Sequence, residues 1–155
     1  MLTIETLEKI KNGARITLFN GIFAILFGAA YLGFMNFFLK DNFRTIDVVW
    51  KVFYKYNNEL ASVIVRLTIL KCVFIILMGI MIIYLSDYIH KRKDRFAWIM
   101  LFVLGGIIFW PTILTIELFD KNFYTIIASA IGWITFIIGM ILPIRYYMQR
   151  EYTEY

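Results

Sequence analysis

Long apolar stretches, separated by short charged or aromatic connections, organise this chain. They run over about 16–38 (ITLFNGIFAILFGAAYLGFMNFF), 63–88, 97–118 (AWIMLFVLGGIIFWPTILTIEL) and 124–146 (YTIIASAIGWITFIIGMILPIRY). Each reaches the ~20 residues that a helix rising about 1.5 Å per residue needs to cross a hydrocarbon core of about 30 Å. The pattern predicts four transmembrane helices.

Two other segments carry a weaker periodicity. Over 2–14, Ile4, Leu7, Ile10 and Ala14 fall on one face, with acids early and lysines late, which predicts a short amphipathic helix at the membrane surface. Over 43–60, Ile46, Val49, Trp50, Phe53 and Leu60 share a face among lysines and aromatics that suit an interface. The run VVWKVFY within it is also rich in strand formers, so helix and strand both stay open there. Lys9, Lys11 and Arg15 ahead of an apolar run have the form of a secretory leader, with GAA as its cleavage site. The run continues well past Ala30, however, so a retained span is expected.

Composition agrees with the pattern. The 155 residues are 61% hydrophobic and 17% charged, with a mean hydropathy of +0.74, where a soluble domain is roughly half apolar and about a quarter charged. Four spans nearly exhaust the length, so the expectation is one all-α membrane domain over 1–155, a four-transmembrane-helix bundle with short interfacial helices. A single cysteine, Cys72, and a single histidine, His90, exclude an intrachain disulfide and a Cys/His metal cluster.

The net charge of +5 is placed beside the spans and bears on topology rather than on nucleic acid. Lys9, Lys11, Arg15, Lys91, Arg92, Lys93, Arg95, Arg145 and Arg150 fall on one side, nine in all, against Lys40, Arg44, Lys51, Lys55 and Lys121 on the other, five. The positive-inside rule then predicts cytoplasmic N- and C-termini.

The segment ASVIVRLTILKCVFIILMGI places two cations in an apolar run. Counting back from the edge near Ser86–Asp87 puts Arg66 at the opposite boundary and Lys71 about 6 Å inside it. Thr68, Cys72, Ile75, Gly79 and Ser86 form a stripe of small or mildly polar side chains, the kind that faces other helices. Arg66 points away from that stripe and is expected to snorkel to headgroups. Lys71 borders it.

The third span brings Glu117 to the same depth on a face shared with Gly106, Trp110 and Ile113, so Lys71 and Glu117 form a candidate charge pair; two separately solvated caps are the alternative. Asn36, Thr68, Trp110 and Thr112 lie nearby as candidate cavity-lining residues. Pro111 is expected to kink the third span and free the carbonyl of Ile107.

Small residues mark packing faces: Gly21, Ala24 and Gly28 in the first span, Gly79 in the second, Gly106 in the third, Ala128, Gly132 and Gly139 in the fourth. The first and fourth spans are expected to use these faces against each other or between protomers. Asn20 is expected to make an interhelical hydrogen bond. Lys91, Arg92, Lys93 and Arg95, with Arg66, are candidate contacts for lipid headgroups.

No nucleophile–base pair, phosphate loop or paired carboxylate site is visible, and no cofactor is expected. The leading expectation is a non-catalytic membrane protein that acts by helix association, as an accessory subunit or homo-oligomer. Its partners would be membrane lipids and a second copy or another membrane protein. A small oligomeric channel or transporter with Lys71 and Glu117 near its outer mouth is the alternative, and a lipid-modifying membrane enzyme the third.

Overall fold

A computed structural model describes residues 4–44 and 48–148. Residues 2–3 of the predicted surface helix, Ile46 of the connection, and Arg150 with the polar tail lie outside the described residues. Four helices are long and apolar enough to cross a membrane, and the described residues contain no strand. This is a small integral membrane protein built as an all-α four-helix bundle.

Helix α1 (Ile4–Gly33) runs without interruption through the segment expected to form a separate surface helix. Nothing before Gly33 breaks it, because Gly13 is held inside the bundle; a Cβ there would stand 2.7 Å from the Gly139 carbonyl oxygen. The chain turns at Phe34, short of the predicted end of the first span, and α2 (Met35–Arg44) follows. Helix α3 (Trp50–Tyr56) occupies the strand-prone stretch. Trp50 lies buried there beside Leu39 and Ala61, with Phe43 and Phe53 packed around them. That apolar cluster favours a helical face over an isolated strand, which would find no edge to pair with.

Helix α4 (Asn58–Arg92) is the longest, with 35 residues, about 52 Å at ~1.5 Å per residue, so both its ends outrun the hydrocarbon core. Asn57 caps its start through its side chain, and Lys93, left-handed at φ 54°, ends it. Asp94 then caps α5 (Arg95–Leu101) by accepting from the Ala97 N–H at 3.1 Å.

The third span continues through a π-helical segment, Phe102–Phe109, into α6 (Trp110–Asp120). The Trp110 N–H reaches back five residues to the Gly105 carbonyl. In that register the donor missing at Pro111 leaves the Gly106 carbonyl open, rather than that of Ile107, and the Trp133 indole N–H donates to Gly106 at 2.9 Å. Helix α7 (Phe123–Ile141) stops ahead of Pro143, and the short α8 (Ile144–Met148) follows where the fourth span was expected to continue.

Helix α1 packs along α4 on one side and α7 on the other; α6 packs on α7, and α4 meets the third span chiefly through α5. Ile10, Ile89, Trp98 and Tyr147 converge at one end, here the terminal end. The opposite, distal end carries α2, α3 and the α6–α7 turn.

The small faces are used inside this bundle. A Cβ on Gly79 would stand 2.8 Å from the Gly21 carbonyl oxygen, and one on Gly28 would stand 3.0 Å from that of Cys72, so α1 and α4 touch backbone to backbone. Ala24 is fully buried between those glycines. Gly139 abuts Thr17 of α1, and Gly132 receives the Trp110 ring. Ala128 is only half-buried, because the inward stripe of α7 runs through Thr125 and Ser129 instead.

Candidate functional site

Polar groups inside the bundle collect at three levels. At the terminal end Ser86 bridges Thr17, at 3.0 Å, and the Ala14 carbonyl, at 2.8 Å. Half-way along, Asn20 joins three helices: its amide donates to the Gly132 carbonyl at 2.6 Å and to Thr135 at 2.9 Å, and it accepts from the Trp110 indole at 3.0 Å. Trp110 is fully buried, seated on Gly132 and flanked by Phe109. The middle of the bundle is thereby filled by aromatic rings and satisfied hydrogen bonds.

The distal level is different, because it is charged. Lys71 of α4 donates to Glu117 Oε1 at 3.0 Å, to Asp120 Oδ2 at 3.3 Å and to the Tyr31 hydroxyl at 3.0 Å. Its ammonium also lies 4.2 Å from the centroid of the Tyr31 ring, which Phe38 backs in a stacked contact. The Glu117 side chain is fully enclosed, that of Lys71 is 13% exposed and that of Asp120 is 35% exposed. Glu117 Oε2 is buried without a hydrogen-bond partner. One cation thus faces two carboxylates at the seam between α4 and α6.

Beside this cluster the two helices part. Their backbones scarcely meet, and a groove of about 580 Å³ opens between them, lined by Leu67, Thr68, Lys71, Thr112, Ile116 and Asp120 among others. Thr68 is half-buried and bonds its own helix at the Ile64 carbonyl; Thr112 is exposed. Trp110 does not line this groove, since its ring is turned inward onto Gly132. Asn36 does not line it either, because the turn at Phe34 carries it to a separate concavity beneath α3.

Asp120 and Tyr31 complete the cluster and were not among the candidate residues. Asp120 stands one turn beyond Glu117, and that three-residue spacing was the available signal. Tyr31 had none beyond its position in an aromatic-rich span.

Of the headgroup candidates, Arg66, Lys91, Arg92 and Arg95 are exposed, and Lys93 is half-buried at the cap of α4. Lys91 pairs with Asp87 at 2.7 Å on the same exposed face. No group of three or more His, Cys, Asp or Glu side chains comes together to hold a metal among the described residues. No protein family matches this chain, and neither a curated protein nor a solved structure shows significant similarity to it.

Proposed function

We propose that the protein is a non-catalytic accessory subunit of the membrane, with its termini in the cytoplasm, that works by lateral association through the groove between α4 and α6. The observation carrying this reading is that groove itself. It is apolar along most of its walls and tied at its base by Lys71, Glu117 and Asp120. The glycine faces available for joining two protomers are already used within the bundle. A partner transmembrane helix laid in the groove would bury Leu67 and Leu70, now exposed, and meet a fixed polar cluster that sets its register. Dense packing around Trp110 and Asn20 supports association over conduction through one bundle. The basic turn Lys91–Arg95 shares the terminal end with Ile10 and Tyr147, which supports the assignment of the termini.

The deciding experiment measures ion and proton flux in proteoliposomes for the wild type and for the double variant Lys71→Met/Glu117→Met, which removes the two enclosed charges together and leaves only the part-exposed Asp120. No flux above protein-free vesicles from correctly inserted wild type is the expected result. Wild-type flux that the double variant abolishes would move the protein to the transport class, with Lys71 and Glu117 in its pathway.

A further inference from the structure

The distal end holds a second concavity, on the other flank of α4 from the Lys71 groove. It measures about 480 Å³ and lies between α2 and α3, with Asn36, Lys40, Trp50, Lys51 and Tyr54 among its lining residues and Val65 of α4 beside them. We propose that this pocket binds the phosphate of an anionic phospholipid from the leaflet at the distal end.

Charge is the first reason. Lys40 comes from α2 and Lys51 from α3, and no carboxylate lines the pocket among the described residues. Lys9, Lys71 and Lys91 each have a carboxylate partner, whereas neither Lys40 nor Lys51 is in an ion pair among the described residues. Two lysines lining one cavity, with no carboxylate among its described lining residues, make it a positive site. The Asn36 amide adds a neutral donor at its edge.

Its walls are also fixed. Leu39, Trp50 and Ala61 form a small core of their own, with Met35, Phe43, Phe53 and Val65 packed against it, which clamps α2 and α3 onto the end of α4. Phe43 and Trp50 lie 4.7 Å apart between ring centroids, and Trp50 and Tyr54 lie 5.9 Å apart. Tryptophan and tyrosine rings of this kind settle at the headgroup level of a bilayer. The lysines are therefore presented where lipid phosphates lie, above an apolar side wall that the first acyl carbons can follow. Lysines held near a membrane surface attract anionic headgroups.

The test reconstitutes the full chain in phosphatidylcholine nanodiscs doped with phosphatidylglycerol and counts retained lipid by native mass spectrometry after detergent release. The wild type should retain phosphatidylglycerol in preference to phosphatidylcholine. Lys40→Gln/Lys51→Gln should weaken that retention about 30-fold, the combined effect of two lysines near an anionic surface. Lys55→Gln, on exposed α3 surface outside the pocket, should leave it unchanged. Equal retention by the double variant would overturn the proposal, and so would an equal loss in Lys55→Gln, which would reveal only diffuse surface charge. Soluble glycerol phosphate should not displace the lipid; displacement would assign the site to a free phosphate.

Discussion

Helix α4 makes two kinds of contact with its neighbours, and they are built from opposite materials. Against α1 it uses Gly79, opposite Gly21, and the Cys72 backbone, opposite Gly28, so that backbone meets backbone at both places. Against α6 it uses Lys71, a flexible cation that reaches across to Glu117 and Asp120 while the backbones stay apart. The first seam gains dispersion contact over a long stretch. The second has few contacts, leaves an open groove, and depends on a balance between attraction and desolvation. A bundle closed tightly on one side of α4 and open on the other leaves the open side as the place where the proposed partner would seat.

The largest expected effect comes from breaking the loose seam on one side only. Lys71→Met strands the enclosed Glu117 carboxylate and should cost about 3–5 kcal/mol of stability, as for other buried pairs broken singly. Adding Glu117→Met should restore most of that loss, because no buried charge remains unpaired. A double-mutant cycle from thermal unfolding in detergent gives the coupling directly. If the double variant were as unstable as the single, the seam would be held by the shape of these side chains and not by their charge.

The tight seam should respond to volume instead. Gly79→Leu places a side chain against the backbone of α1, where a Cβ alone would already lie 2.8 Å from the Gly21 carbonyl, and a cost of about 1–3 kcal/mol is expected from overpacking. Gly33, with nothing within 4 Å of a Cβ, is the matched control, and Gly33→Ala should be close to neutral. Asn20→Leu, at the middle level, leaves the Trp110 indole without its acceptor. It should cost about 1–2 kcal/mol, the range for interhelical hydrogen bonds in membranes, read as a lower unfolding temperature.

Much of this division could be read from the residues, and the parts that could not have physical reasons. Four spans follow from run length alone. Lys71 and Glu117 reach one level by counting residues from the span edges, and the structure joins them because consecutive spans run antiparallel. Asp120 escaped because it lies just past the predicted end of the third span at 118, although it stands one helical turn from Glu117. The open carbonyl near Pro111 was assigned to Ile107 on an α register; nothing in FVLGGIIF marks the shift to a π register that moves it to Gly106. Glycine spacing identified faces but not their partners, since a backbone contact carries no complementary chemistry to match. The placement of Gly21 and Gly28 on α4, and of Gly132 under Trp110, required the fold.

The smallest expected effect addresses the rim of the loose seam. Asp120 is the most exposed member of the cluster and the farther of the two carboxylates from Lys71. An ion pair open to solvent contributes about 0–1 kcal/mol, so Asp120→Asn should lower stability by less than 1 kcal/mol while Lys71 and Glu117 stay paired. It should nevertheless change the groove, because Asp120 is the carboxylate that lines it and Glu117 is enclosed behind. Unfolding temperature and partner capture, followed in the same variant, then separate the stabilising contribution of the seam from the recognition proposed for it. A small thermal shift with reduced capture makes Glu117 the structural partner of Lys71 and Asp120 the recognition element. A thermal loss as large as that of Lys71→Met would mean that the three charges act as one unit, and that the groove cannot be altered without loosening the bundle.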